Sequence, residues 1–351
     1  MVELVTGNLL QADVEALVNT VNTVGAMGKG IALQFKQAYP ANFEAYRKAV
    51  EHGEVQPGRM FVFETGLMTN PRIIINFPTK RHWRGGSRIE DIDAGLHDLA
   101  RVIAAQGIQS IAIPPLGCGN GGLNWDDVRP RILATLAKLP DVRALVFSPE
   151  GSPDPKTMPV GTERPQMTPA RALLVRLMDR YSELAYRLTL LEIQKLAYFL
   201  QEAGEPLRLN FEKGHYGPYA ANLNKVLERI EGHFTRGYGD TQKPDVEIGL
   251  LPGANEEAIS FLRDRPESLE RLMGVASLID GFETPYGMEL LSSVHWVATR
   301  EPDVHDAAGA IGAIYGWSDR KKQMFRPQHI EVAWNRLSEA GWVPATSSTP
   351  R

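Results

Sequence analysis

The sequence predicts an α/β domain with a mixed sheet, followed by a mainly helical domain with a small β element. Three observations carry this reading. Strand and helix signals alternate through residues 1–150; a stretch rich in Pro, Gly, Ser and Thr follows at 151–170; and helical spacing dominates 171–351. A chain of 351 residues exceeds the usual size of one domain, and its 43% hydrophobic content supplies two cores.

In chain order, VELV (2–5) and ALVNTVN (16–22) read as strands. IALQFKQAYP and NFEAYRKAVEHG read as helices ended by Pro40 and Gly53. RMFVFET (59–65) and RIIINFP (72–78) are rich in β-branched and aromatic residues and read as strands. Ser87 and Glu90 have capping-box spacing ahead of the amphipathic helix IEDIDAGLHDLARVIAAQG, which Gly107 closes. SIAIPP (110–115) is a short buried strand, Asn124 caps WDDVRPRILATLAKL, and RALVFSP (143–149) completes the sheet. GSPDPKTMPVGTERPQMTPA has no apolar periodicity and reads as a linker. Beyond it, ALLVRLMDRYSEL, LLEIQKLAYFLQEAG, ANLNKVLERIEGHF and IEVAWNRLSEAG are helical, with short strands near 207–216.

The net charge of −4 is unevenly spread. Lys+Arg and Asp+Glu balance at 15 each in residues 1–150, whereas 171–351 carry 21 against 25. That excludes a generally basic nucleic-acid coat and leaves only local basic clusters for such contacts. A single cysteine, Cys118, excludes a disulfide framework and a thiolate zinc site, and the histidines show no metal-ligand spacing. With no signal-peptide pattern and no long apolar run, the sequence predicts a soluble cytoplasmic protein with no membrane partner.

Three loops follow strands of the first domain, where ligands collect in open α/β sheets. NTVNTVGAMGKGIA (19–32) brings Gly25, Gly28 and Gly30 to the start of a helix, a geometry suited to phosphate, but lacks the spacing of a P-loop. PPLGCGNGGLNW (114–125) matches a dinucleotide fingerprint by letter. It lies after a late strand with its helix starting only near Asn124, which argues against a nicotinamide-dependent oxidoreductase and leaves a nest of amides for a pyrophosphate. NFPTKRHWRGGS places Lys80 directly after a buried strand. Desolvation and the neighbouring Arg81 and Arg84 would lower its pKa and make a nucleophilic amine, or the three cations are ordinary loop charges.

Together these loops resemble the macrodomain family, the three-layer α/β/α fold that binds ADP-ribose. Gly7-Asn8-Leu9-Leu10 with Val18-Asn19-Thr20-Val21-Asn22 resembles the family's opening pattern, and Ile113-Pro114-Pro115-Leu116-Gly117-Cys118-Gly119 its second phosphate loop. Gly117-Cys118-Gly119, Trp125 and Thr79-Lys80 are similar to the branch holding the terminal ADP-ribose protein glycohydrolase and a bacterial antitoxin. This resemblance covers about residues 1–150. In the second domain, Gln194-Lys195-Leu196-Ala197-Tyr198-Phe199 and Tyr216-Gly217-Pro218-Tyr219 resemble a helical antitoxin domain.

The resemblance implies an ADP-ribosyl glycohydrolase that frees thymidine in single-stranded DNA from ADP-ribose, needs no cofactor, and restrains a cognate DNA ADP-ribosyltransferase toxin through residues 171–351. It implies an ADP-ribose site of Asn8, Leu9, Thr20, Val21, Asn22, Gly28, Lys29, Gly30, Ile31 and Thr79, completed by Leu116, Gly117, Cys118, Gly119, Asn120, Gly121 and Gly122. Lys80 would act at the anomeric carbon, and Arg81, His82, Trp83, Arg84 and Arg88 are candidate DNA contacts. The sequence departs from the pattern twice: Asn8 stands where most macrodomains carry Asp, and Gly121 where the protein glycohydrolase carries Asp. A non-enzymatic ADP-ribose reader and a protein ADP-ribose glycohydrolase are the alternatives.

Overall fold

The computed structural model describes residues 1–150, 158–182, 188–239 and 247–343. It divides into two compact units, one built on Met1–Glu163 and one on Arg164–Tyr238 and the residues from Pro244 onward; Gly239 groups with the first.

The first unit is a six-stranded mixed sheet between two helical layers. Its strands are β1 (Val2–Val5), β2 (Ala16–Asn22), β3 (Phe61–Glu64), β4 (Ile73–Lys80), β5 (Ser110–Ile113) and β6 (Arg143–Phe147), in the spatial order β1-β6-β5-β2-β4-β3. All pairings are parallel except that of edge strand β3 with β4. Its helices are α1 (Gly30–Ala38), α2 (Pro40–Glu51), α3 (Ile89–Gln106) and α4 (Trp125–Leu136).

Alternation along β2 and β4 builds the layers. Ala16, Val18, Ile75 and Phe77 pack with Ile92, Leu96 and Leu99 of α3 and Val128 and Ile132 of α4. Leu17 and Ile74, one residue over, face Leu9, Leu10 and Phe35 of α1 in the opposite layer. Helix α3 lies so close to β4 that a β-carbon at Gly95 would overlap the Phe77 ring. The central strands are therefore buried on both faces, as a parallel sheet requires.

Three local expectations are corrected. Strand β4 runs on through Pro78 and Thr79, so Lys80 is its last residue rather than the start of a loop. Pro40 opens α2 at its first turn, where the missing N–H costs nothing. The Ser87–Glu90 capping box does not form: Arg88 is the N-cap of α3, and the Ser87 amide donates instead to the Gly121 carbonyl at 2.8 Å. Gly107 does close α3 in the left-handed region at φ 64°, and Asn124 caps α4 by accepting from the Asp126 amide at 3.1 Å. Of the segment expected to be a linker, 151–157 lies outside the described residues. Met158 is buried in the core of the first unit, and the Gly161 amide donates to the Gln37 carbonyl at 2.7 Å.

The second unit is mainly helical: α5 (Pro169–Ser182), α6 (Leu190–Glu202), α7 (Leu223–Ile230), α8 (Ala254–Leu262), α9 (Pro266–Ile279), α10 (Pro285–Arg300), α11 (Ala307–Trp317), α12 (Asp319–Met324) and α13 (Pro327–Glu339). Its β content is the antiparallel hairpin of β7 (Phe211–Gly214) and β8 (Gly217–Ala220), with His215 and Tyr216 at the turn, and the short pair β9 (Thr235–Arg236) and β10 (Gly249–Leu250). The two motifs singled out in this half meet. The Gln194 side chain donates to the Ala220 carbonyl at 3.1 Å and accepts from the Ala220 amide at 2.9 Å, and Lys195 donates to the Pro218 carbonyl at 2.6 Å. Burial pushes the Lys195 amine down to about 7. No helix among the described residues is long and apolar enough to cross a membrane.

Candidate active site

The three loops emerge from one edge of the sheet because β2, β4 and β5 run parallel and end together. Asn22 is the register partner of Lys80 across the β2–β4 ladder, past an irregularity between Val21 and Asn22. The Lys80 amine donates to the backbone carbonyl of Asn120 in the second glycine loop. The Asn120 side chain in turn lies against Gly30, where a β-carbon would sit 2.9 Å from its amide nitrogen. Lys80, Gly30 and the loop after β5 therefore converge on Asn120. Burial lowers the pKa of the Lys80 amine, which raises the share of neutral amine at a given pH.

Asn22 is heavily committed to its own loop. Its side-chain oxygen accepts from the amides of Val24 at 3.0 Å and Ala26 at 3.3 Å, and its amide donates to the Ala26 carbonyl at 2.5 Å. Tyr46, fully buried on α2, donates its hydroxyl to the Asn22 carbonyl at 2.6 Å. That leaves the second hydrogen of the Asn22 amide as the group it can offer a sugar hydroxyl. Asn19 belongs to the core: buried, it donates to Asn76 at 2.9 Å, and Asn76 donates to Asn42 of α2 at 2.7 Å. Sequence reasoning missed Tyr46 and Asn42, whose helical positions carry no local sign of what they brace.

The glycine loops offer fewer amides than their letters suggest. In the second, Cys118, Gly122 and Leu123 donate to the carbonyls of Pro115, Gly119 and Gly117. The amides of Gly119 and Gly121 donate to no backbone carbonyl among the described residues and remain for an anion. In the first, Lys29 is the N-cap of α1 without a side-chain bond, and the amide of Ile31 lies in the first turn, where no intrahelical partner exists. Gly28 precedes this cap with its backbone half-buried, and the Gly30 amide donates to the Gly239 carbonyl at 2.5 Å.

The side chains of Leu9, Val21, Thr79 and Leu116 are buried, so these residues can meet a ligand only through backbone or strand end. Thr20 is half-buried on β2. Asn8 caps a 3-10 turn over Leu9–Gln11, accepting from the Leu10 amide at 3.0 Å, and its amide donates to the Met158 sulfur at 3.4 Å. Burial pushes the Cys118 thiol up to about 11, so at neutral pH it is an unreactive thiol. Among the described residues no group of three or more His, Cys, Asp or Glu could hold a metal ion.

Position 121 explains the missing carboxylate. A β-carbon there would overlap the Gly117 carbonyl oxygen and the Ser87 hydroxyl. No side chain fits without moving the loop. Gly121→Ala is expected to destabilise the first unit by about 1–3 kcal/mol and to weaken ADP-ribose binding; differential scanning and titration calorimetry check both.

The candidate DNA contacts divide. The Arg81 guanidinium is engaged by Asp91, Nη2 to Oδ1 at 3.0 Å and Nε to Oδ2 at 3.2 Å, so Arg81 braces α3 against the end of β4. His82, Trp83, Arg84 and Arg88 are exposed.

Comparison with known proteins identifies the family. The Macro domain family model matches residues 18–132. The DNA ADP-ribosyl glycohydrolase of Thermus aquaticus is 48% identical over 97% of this chain and 94% of its own length. That of Mycobacterium tuberculosis is 44% identical over 95% and 97%. A Thermosipho africanus DNA ADP-ribosyl transferase-DNA ADP-ribosyl glycohydrolase fusion protein is 34% identical over 39% of each chain. With this identity running through both units, the chain belongs to the DNA ADP-ribosyl glycohydrolase (DarG) family, with a macrodomain as its first unit.

Proposed function

We propose that this chain hydrolyses the N-glycosidic bond joining ADP-ribose to thymidine in single-stranded DNA, in the cytoplasm and without a cofactor. The observation that carries the reading is the Lys80 amine: it stands at the end of β4 beside Asn22 and is aimed by the Asn120 carbonyl. In this reading the pyrophosphate lies between the first turn of α1 and the Gly119 and Gly121 amides. The Asn22 amide orients the distal ribose, and the remaining lone pair of the Asn8 side-chain oxygen accepts from the adenine amino group. Lys80 then works on the anomeric carbon with no carboxylate from position 121.

The test is incubation of the full chain with a thymidine-ADP-ribosylated oligonucleotide, followed by chromatography of free ADP-ribose. Release is the expected result. Binding without release would make the chain a reader, for which Lys80 has no task, and release only from ADP-ribosylated protein would transfer the activity to that substrate.

The second unit, in the same proposal, binds and restrains a DarT-like DNA ADP-ribosyltransferase toxin. Support comes from the relative that carries a transferase and a glycohydrolase in one fusion protein and from the acidic balance of residues 171–351, which suits a basic DNA-binding surface.

A further inference from the structure

We propose that His82, Trp83 and Arg84 form a nucleobase-stacking platform that grips the single strand beside the modified thymidine. The inference rests on the reading of the site as one that acts on DNA-linked ADP-ribose, and it assigns the strand contact to three residues of one braced turn.

A mobile basic loop would be a poor grip, because every contact would have to offset the entropy of ordering it. This turn is held at both ends. At its start, Arg81 is clamped by the buried Asp91, and its carbonyl accepts from the Thr23 hydroxyl at 2.6 Å. At its end, the Ser87 amide donates to the Gly121 carbonyl of the second glycine loop at 2.8 Å. In between, the Arg84 amide donates to the His82 ring nitrogen Nδ1 at 3.2 Å and the Gly85 amide to the His82 carbonyl at 3.0 Å.

The brace holds a layered set of rings and charge. The His82 and Trp83 rings stack with centroids 5.4 Å apart and planes 27° apart, and the Arg84 guanidinium lies 4.5 Å from the Trp83 ring centre. Trp83 is nonetheless 50% exposed, so it is not a core residue and has surface left for another ring. A single exposed aromatic is ordinary. An exposed tryptophan pre-stacked with a histidine and an arginine, three residues beyond Lys80, has the two things a single strand needs: a π-face for a base and a cation for its phosphate. Arg84 supplies the charge. Residues 1–150 are charge-balanced as a whole, so affinity for the strand has to be local.

The test uses an unmodified, fluorescein-labelled oligothymidylate and the full chain, read by anisotropy. Wild type is expected to bind the single strand better than a duplex of the same length, whose bases are already stacked. Trp83→Ala should weaken binding about tenfold, Trp83→Phe should retain most of it, and Arg84→Ala should flatten the dependence of log affinity on log salt by about 0.7. Unchanged affinity in Trp83→Ala, equal binding of duplex, or no binding by wild type would each overturn the platform. No turnover enters the readout, so loss of the glycohydrolase reading would appear separately, as failure of wild type to release ADP-ribose from the modified oligonucleotide.

Discussion

Lys80→Ala is expected to lower single-turnover release of ADP-ribose from the modified oligonucleotide about 10²–10⁴-fold, with ADP-ribose binding little changed because the proposed site assigns it to the glycine loops. The pH profile of the wild type identifies the form of Lys80 that works. Burial lowers its pKa from the ordinary 10.5, so the neutral amine becomes the major form at a lower pH than for a free lysine. If that amine is the nucleophile, the rate rises with pH and levels off once pH passes the lowered pKa. In that route Nζ bonds to the anomeric carbon and the bond from that carbon to the thymine nitrogen breaks, with a proton going to the base. The ring oxygen then leaves the same carbon and takes the remaining amine proton, giving the imine, which water hydrolyses to ADP-ribose and free amine. If the ammonium instead protonates the leaving base, the rate is highest at low pH and falls through the same pKa. The depressed pKa favours the first route, while the Asn120 carbonyl accepts from amine and ammonium alike and does not choose between them. Borohydride reduction should then leave sugar attached to Lys80 in wild type, and reduction that leaves Lys80 unmodified would move the mechanism to the second.

Much of this site was legible in the sequence because strands announce themselves locally. The bounds of β2, the α3 stop at Gly107 and the Asn124 cap follow from alternation, glycine and a capping side chain, all features within a few residues. What escaped depends on distant groups. Lys80 extends β4 because Asn22 continues the ladder on the neighbouring strand, and nothing within RIIINFPTK reports that. Ser87 has the spacing of a capping box, but the Gly121 carbonyl, over thirty residues away, claims its amide. Asn22 looked like a ligand residue and proves to spend most of its capacity on its own turn, with Tyr46 bracing the strand end from α2. In the second unit α10 was missed for a different reason. Met288 to His295 are all buried, so the helix has no polar face and no 3.6-residue stripe to read.

Glu289→Ala is expected to destabilise the second unit by about 3–5 kcal/mol, a large share of the roughly 5–15 kcal/mol that holds an ordinary domain folded. The carboxylate is buried on α10. It accepts from Nη1 and Nη2 of Arg320, at 2.7 and 3.0 Å, and from the Lys321 amine at 2.7 Å, while Lys321 also donates to Ser293 at 3.0 Å. Burial alone would raise the Glu289 pKa; hydrogen bonds and charge from Arg320 and Lys321 outweigh it and hold the carboxyl below its usual range. A carboxyl whose pKa is depressed by folding stabilises at neutral pH, and that contribution is lost as pH falls below the unfolded value of 4.5 toward the folded one. Removing the carboxylate leaves the fully buried Lys321 ammonium without its counter-charge, which costs more than the pair itself contributes. The nearby hairpin should feel the loss, because Gly217 packs against Ser292 and Ser293 of the same helix, where a β-carbon would sit within 3.3 Å of both hydroxyls. Thermal unfolding of the full chain followed by circular dichroism should therefore show an early transition in Glu289→Ala that wild type lacks, with the proposed toxin capture lost. Release of ADP-ribose from the modified oligonucleotide should persist below the second transition, since Lys80, Asn120 and both glycine loops lie in the first unit. A single transition with both activities lost together would instead mean that the two units fold as one.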